Sequence, residues 1–342
     1  MKSEVTFIEL DETVSTNTFL ATYRPAEPDT ITVVTTEFQT AGRGQTGNSW
    51  ESEKGKNLLF SILVQPKTLP ATHVFLLSEA IALSIREAIA DALHFQWSTV
   101  NGQWSMVNGQ RSTVNGQRSM VNGQWSTVNG QWSTVNGQWS TVNGQWSITV
   151  KWPNDIYVDD RKIAGILIEN ELCGHNVGRS IIGCGVNINQ QSFLFPSLTS
   201  HLSPLTSHLS PLTPQPSARA CSLDTSRIIN HQSPTPVSLR QLIGHDCDRR
   251  PILNHILEAF QQRYASLTPH PSPLTPHPSS LHADYLAALY RRTGLHPYRD
   301  AHGQFDAEII DVEPSGHLIL RDMSGTIRRY AFKEVEYVKP LS

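Results

Sequence analysis

Lys151-Trp152-Pro153-Asn154-Asp155-Ile156-Tyr157-Val158-Asp159-Asp160-Arg161-Lys162-Ile163-Ala164-Gly165-Ile166-Leu167-Ile168-Glu169 is the stretch around which the rest of the chain is read. Two short apolar strands, Ile148 to Val150 and Ile163 to Glu169, bracket Tyr157 and Val158, and a charged turn runs from Asp159 to Arg161. Lys151, Asn154, Asp155 and Lys162 therefore fall at strand ends and turns, where a sheet can hold polar groups over a pocket.

The frame around this stretch is that of a soluble protein of one to three domains: 342 residues, 38% hydrophobic, 30 acidic and 27 basic side chains. A formal charge of -3 argues against a broad nucleic-acid surface but leaves room for a local basic pocket. Cys173, Cys184, Cys221 and Cys247 have no CxxC spacing and are too few for a disulfide scaffold, which points to a reducing cytoplasm. Met1 to Leu10 carries two acids and no long apolar run, so it reads as neither a secretory signal nor a membrane span.

Three low-complexity insertions, 96-147, 195-217 and 266-280, are set aside before the fold is read. In the first, Trp-Ser-Thr-Val-Asn-Gly-Gln repeats seven times from Trp97 to Gln145, with Met or Arg as occasional replacements. Asn-Gly in every unit disfavours helix and allows short type I′ hairpins, while only Trp and Val offer sizeable apolar groups. A weakly ordered surface insertion is expected, with a functional repeat module as the alternative. The other two repeat Ser, Pro, Leu, Thr and His; recurring proline favours extended loop over helix or central strand. Their histidines, His201, His208, His270 and His277, reflect repetition more than a metal site. About 250 residues remain, enough for one core domain and a small appendage.

The remaining chain begins with a strand at Phe7 to Leu10, after which Ser15, Thr16 or Asn17 can cap a short helix. A β-branched strand, Ile31 to Thr36, leads into Gln39-Thr40-Ala41-Gly42-Arg43-Gly44-Gln45-Thr46-Gly47-Asn48-Ser49-Trp50. Its glycines match GxGxxG, but no helical pattern follows, so a dinucleotide fingerprint is a weak reading. Two uses stay open: a loop that closes over an anion with Arg43 supplying charge, or a structural turn. Asn57 to Val64 reads as a strand and Thr72 to Leu93 as the longest helix. Ser180 to Ile188 is a further strand in which Gly183 and Gly185 allow close approach to the backbone, and Cys184 reads as a buried apolar residue. Helices follow over Val237 to Ile243, Pro251 to Tyr264 and Leu281 to Arg292, and four short strands from Phe305 to Val338 end the chain.

Glu37 to Trp50, Lys151 to Glu169 and Gly183 to Asn187, taken in this order, resemble the biotin-protein ligases. The family's Gly-Arg-Gly loop with its following tryptophan stands here as Gly42-Arg43-Gly44 and Trp50, and its Lys-Trp-Pro-Asn-Asp run with downstream Arg-Lys-x-x-Gly-Ile-Leu is almost whole. The resemblance implies an α+β fold: a central mixed β-sheet with packed helices, like class II aminoacyl-tRNA synthetases, in residues 1-300, and a small C-terminal SH3-like β-barrel in 301-342. It also implies two reactions. Biotin's carboxylate attacks the α-phosphate of ATP to give biotinyl-5′-AMP, and a lysine of a biotin carboxyl carrier protein then displaces AMP.

Residue by residue, the resemblance makes Lys162, Arg43 and Lys151 catalytic. It places Ser15, Thr16, Gln39, Gly42, Arg43, Gln45, Lys162, Gly165 and Leu167 around biotin, and Arg43, Trp50, Lys151, Asn154, Lys162 and Asn187 around ATP. Asp155 is the implied Mg2+ ligand, although its carboxylate can instead orient Lys151. The chain departs from one branch of the family at Gln45, where arginine is usual, and at Thr46 beside it. With few residues before the first strand, a monofunctional ligase without a helix-turn-helix domain or operator binding is expected, and a homodimer is possible. Two alternatives remain: a lipoate or octanoate ligase or transferase, and a repeat-bearing interaction protein with an inactive ligase core.

Overall fold

The computed structural model describes residues 5–27, 30–44, 49–94, 106–107, 110–111, 119–121, 124–126, 132–135, 138–141, 146–193, 235–267 and 278–338. In chain order the first elements are β1 (Val5–Thr13), α1 (Thr16–Thr22), β2 (Ile31–Gln39), β3 (Leu58–Val64) and α2 (Phe75–His94). Within the tryptophan repeat come β4 (Met106–Val107), β5 (Gln110–Arg111), β6 (Ser119–Val121), β7 (Gln124–Ser126), β8 (Trp132–Val135) and β9 (Gln138–Thr141). Val107 pairs with Gln110, Val121 with Gln124 and Val135 with Gln138, so the strands of the repeat pair as short antiparallel hairpins. The expected weak ordering of the rest of the repeat, and most of the two proline-rich insertions, lie outside the described residues.

The chain then forms β10 (Ile148–Lys151), β11 (Asp155–Val158), β12 (Arg161–Cys173) and β13 (Asn176–Val186). These join β1 to β3 in a seven-stranded sheet of order β1-β2-β3-β13-β12-β11-β10. Only β1 and β2 pair in parallel; the remaining neighbours are antiparallel, so the sheet is mixed as expected. α3 (Leu239–Ile243), α4 (Arg249–Ala265) and α5 (Pro278–Ala287) follow. The last of these starts inside the stretch read as insertion, with proline at its first position, where a missing N–H costs nothing.

One face of the sheet is covered by α2 with α4 and α5 outside it. Alternate residues such as Phe60, Ile62, Ile166, Ile182 and Cys184 point into that core. Burial pushes the Cys184 thiol well above its usual range, in keeping with a packing role. On the other face, α1 covers Val34, Leu63 and Ile181 with Leu20. Both ends of α1 are tied down. Gln39 Oε1 accepts from the Thr16 backbone N at 2.8 Å, and the Arg179 guanidinium donates to the carbonyls of Leu20, Ala21 and Tyr23 at the last turn.

The C-terminal strands correct the expected SH3-like barrel. β14 (His296–Asp300), β15 (Gly303–Val312), β16 (Leu318–Asp322), β17 (Ile327–Tyr330) and β18 (Glu336–Tyr337) form a five-stranded sheet of order β17-β16-β15-β14-β18, open between β17 and β18. Closing a barrel requires a ladder between the end strands with a matched stagger, and the two-residue β18 is already paired to Tyr298 and Arg299 of β14. Packing on the main body supplies the cover that closure would have provided. Trp152 Nε1 donates to Gly316 O at 3.0 Å, Arg292 to Ile309 O at 2.6 Å, and Arg291 to Val338 O at 2.7 Å. The strand His296–Asp300 was not anticipated, because His-Pro-Tyr-Arg-Asp shows no alternation of apolar and polar residues.

One contact between the sheets is titratable. Glu79 is fully buried in α2, and His282 of α5 bridges it to Asp311 of β15, with Nδ1 2.7 Å from Glu79 Oε1 and Nε2 2.9 Å from Asp311 Oδ1. The Glu79 hydrogen bond and the two carboxylate charges push His282 up to about 9, although its partial burial opposes this. A folded-state value above the ordinary 6.5 means that the stabilisation is complete below 6.5 and is lost as pH rises through 9. Unfolding titrations should show the His282→Leu chain losing the alkaline part of the wild-type stability decline, a difference of about 2 kcal/mol near neutral pH. Parallel curves for the two chains would refute the bridge.

Candidate active site

The middle of the sheet is carpeted by glycine. In the register, Gly165 of β12 lies opposite Gly185 of β13, and Leu167 opposite Gly183, which in turn faces Ser61 of β3. Residues directly opposite share a face, so Gly165, Gly183, Gly185 and Ser61 make one floor. Side chains above it come so close that no Cβ fits. A Cβ at Gly183 would stand 2.1 Å from Asn17 Oδ1, and one at Gly185 2.3 Å from Trp50 Cε2.

Lys162 reaches this face through a β-bulge. Counting alternate residues back along β12 from Glu169, Leu167 and Gly165 puts position 163 on the floor side and Lys162 on the other. The pairing shifts between Ile156 and Tyr157, so that Tyr157 opposes Lys162 while Ile156 opposes Ala164, and the extra residue turns Lys162 to the floor side. On the outer side of the bulge, residues 235–237 bind the Lys162 backbone: Lys162 N donates to Thr235 O, and Val237 N to Lys162 O, each at 2.9 Å. The ammonium then lies 2.7 Å from Asp155 Oδ1 and 5.6 Å from the centroid of the Trp50 ring. Asp155 therefore pairs with Lys162.

The opposite end of the floor is polar. Thr16 Oγ1 donates to Gln39 Oε1 at 3.1 Å, and Ser61 Oγ lies 2.7 Å from Thr16 Oγ1 and 2.6 Å from Asn17 Oδ1. Asn17 Nδ2 reaches Glu169 Oε2 at 2.7 Å and Leu167 O at 3.3 Å. Ser15 is buried at the N-cap of α1 but makes no side-chain cap bond. Trp50 N donates to Gly42 O at 2.9 Å, and a bridge joins Arg43 to Ser49. Arg43 Nη2 meets both oxygens of Glu169, at 3.0 and 2.7 Å.

Ser15, Thr16, Gln39, Gly42, Arg43, Trp50, Asp155, Lys162, Gly165 and Leu167 are thus gathered on one face. Gln45 lies outside the described residues. Asn154 ends the turn before β11 and ties it to β12, its Nδ2 donating to Ile166 O while Ile166 N donates back to Asn154 O. Asn187 is buried just after β13, its backbone N donating to Ile163 O at 2.9 Å. Lys151 sits toward the C-terminal sheet: Nζ donates to Tyr157 Oη at 3.2 Å and lies 5.1 Å from the ring centroids of both Tyr157 and Tyr337. Burial, followed by the Asp155 charge, holds the Tyr157 phenol protonated. Among the described residues no three His, Cys, Asp or Glu side chains converge to hold a metal ion. None of the described helices is long and apolar enough to cross a membrane.

Asn17, Ser61 and Glu169 belong to this site and were not anticipated as site residues. Asn17 is legible only as a helix start and Ser61 only as a polar residue in an apolar strand; nothing local tells Glu169 from a solvated strand end.

The model of the biotin/lipoate A/B protein ligase family matches residues 10–187. Bifunctional ligase/repressor BirA of Bacillus spizizenii is 23% identical over 301 residues, covering 88% of this chain and 64% of that protein. Biotin--[acetyl-CoA-carboxylase] ligase of Paracoccus denitrificans is 26% identical over 179 residues, 52% of this chain and 58% of the relative. The chain thus spans less than two thirds of the length of these curated relatives. Among solved structures, biotin protein ligase from Aquifex aeolicus in complex with biotin and ATP superposes with a TM-score of 0.58 at 17% identity, covering 97% of this chain and 99% of that one. The apo structure of the same Aquifex aeolicus protein gives 0.55 at 15% identity over 98% and 99% of the two chains. At these identities the likeness is one of fold.

Proposed function

Because the chain belongs to the biotin/lipoate A/B protein ligase family, we propose that it is an ATP-dependent biotin-protein ligase. It forms biotinyl-5′-AMP and transfers biotin to a lysine of a carrier protein. The observation that carries this reading is the floor of Gly165, Gly183 and Gly185, with an ammonium at one end and an amide and hydroxyl cluster at the other.

Biotin fits this polarity. Its ureido group needs both donors and acceptors, which Thr16, Gln39, Asn17 and Ser15 offer; its ring system and tail lie against Trp50 and Leu167. Its carboxylate then meets Lys162. In the first step a carboxylate oxygen bonds to the α-phosphorus of ATP as the bond to pyrophosphate breaks. Two anions must approach each other, and the Lys162 ammonium offsets their repulsion as charge builds between them. In the second step the carrier's amine bonds to the acyl carbon, the acyl-phosphate bond breaks and AMP departs with the electron pair. Arg43 helps retain the intermediate between the steps.

Asn154, Asn187, Trp50 and Lys151 are the nucleotide's neighbours in this reading, Lys151 reaching the leaving phosphates from its place beside Tyr157. A Mg2+ ion would arrive with ATP and neutralise phosphate charge. Asp155 suits it as a protein carboxylate beside Lys162, and one is enough for a cation that keeps waters and phosphate oxygens as its other ligands.

The test is transfer of isotopic biotin to an apo carboxyl-carrier domain. Labelling that needs ATP and is not replaced by octanoate is expected. Octanoate transfer would favour the lipoate branch of the family, and no transfer with either acid would overturn the reading.

A further inference from the structure

We propose that Tyr337, in the last strand of the C-terminal sheet, is a positioning residue that holds the Lys151 ammonium ready for the phosphates of ATP; this rests on the ligase reading. Lys151 stands at the same end of the floor as Lys162. In the register it lies directly opposite Asp155, Asp155 lies opposite Gly165, and Gly165 opposite Gly185, so these residues form one row on one face. Val150 and Ile156, their neighbours along the chain, are buried in the core on the other face. Asp155 in turn pairs with the Lys162 ammonium at 2.7 Å.

A cation that is to meet a triphosphate has to be held without losing its charge. A carboxylate would hold it by cancelling that charge, whereas the face of an aromatic ring attracts it through the ring's quadrupole and leaves the charge in place. Lys151 Nζ lies 5.1 Å from the centroid of the Tyr337 ring, within reach of this attraction, and donates to Tyr157 Oη at 3.2 Å. Tyr157 belongs to the same sheet as Lys151, but Tyr337 comes from the other one. Its ring is fixed from behind by Tyr298 and Tyr290, whose centroids lie 5.1 and 6.0 Å away. The chain beside it is tied as well: Val338 N donates to Pro297 O at 3.0 Å, and Val338 O accepts from Arg291 at 2.7 Å. Tyr337 Oη has no hydrogen-bond partner among the described residues, so the ring and not the hydroxyl makes the contact with Lys151. A long side chain restrained in this way loses less rotamer freedom when the phosphates bind.

Tyr337→Phe keeps the ring, and pentafluorophenylalanine placed at position 337 keeps its size while reversing its quadrupole. Each is made with Lys151 present and in the Lys151→Ala background. The measurement is pyrophosphate release by the full chain in a single turnover as ATP is varied, with biotin affinity from calorimetric titration and melting temperature alongside. The fluorinated ring is expected to raise the ATP concentration for half-maximal rate about threefold to tenfold when Lys151 is present. It should leave biotin affinity unchanged and add nothing when Lys151 is alanine. Tyr337→Phe should retain the wild-type value. An equal rise in both Lys151 backgrounds would mean that the ring acts through packing of the C-terminal sheet, and would overturn the proposal. A rise as large for Tyr337→Phe, or none with the fluorinated ring, would overturn it while leaving the ligase reading intact. Failure of the unsubstituted chain to release pyrophosphate with biotin and ATP would overturn that reading and this inference together.

Discussion

Lys162→Ala is expected to lower the rate of adenylate formation by about two to three orders of magnitude, the usual effect of removing one preorganised group that stabilises transition-state charge. The side chain makes no core contact that alanine would leave as a cavity: it lies above the sheet, 2.7 Å from Asp155 and against the Trp50 ring. Its backbone stays fixed by Thr235 and Val237. The loss should therefore fall on the rate and not on the fold. It should also be compounded, because Asp155 is left as an uncompensated negative charge where two anionic substrates must meet. Pyrophosphate release in single-turnover experiments, with melting temperature as the control, checks this. A folded variant that adenylates biotin at the wild-type rate would remove Lys162 from the mechanism.

Gly183→Ala is expected to weaken biotin binding by about a hundredfold. The new Cβ would stand 2.1 Å from Asn17 Oδ1 and 2.8 Å from Asn17 Cγ, and Asn17 has nowhere near to go. It is buried at the start of a helix that is pinned at both ends, so the side chain must give up its bonds to Ser61 and Glu169. That disrupts the polar end of the floor, where the ureido group needs complete hydrogen bonding. Gly185→Ala makes a useful contrast. Its Cβ would meet the Trp50 ring at 2.3 Å, but Trp50 is only partly buried, unlike Asn17, so about a tenfold loss is expected. Calorimetric titration with biotin ranks the two; a larger loss at Gly185 would show that Trp50, not Asn17, is the rigid wall.

The strands from Ile31 to Val64 and from Ile148 to Val186 are legible because β-branched and apolar runs broken by Asn, Asp and Gly carry their own punctuation. α2 is legible from twenty residues of strong helix formers. The five C-terminal strands are only partly so. Four show alternation, but whether their ends meet depends on ladder length and packing against Trp152, Arg291 and Arg292, which are distant in sequence. The same limit applies to His282, whose partners come from α2 and β15.

The order of the Gly42–Trp50 loop, the Lys151–Glu169 stretch and the Gly183 and Gly185 strand determined by itself the family resemblance and most of the site's residue types, since glycine where a backbone must be bare and lysine where anions meet are chemical requirements of single positions. Tertiary structure alone decided which of them face one another. Strict alternation would set Lys162 and Gly165 on opposite sides of β12; a one-residue bulge, held by Thr235 and Val237 from beyond a long insertion, brings them together. Asn17, Ser61 and Glu169 join the site through hydrogen bonds across up to 152 positions of the chain. Such bonds depend on register and packing, and neither is written in the local pattern of any one segment.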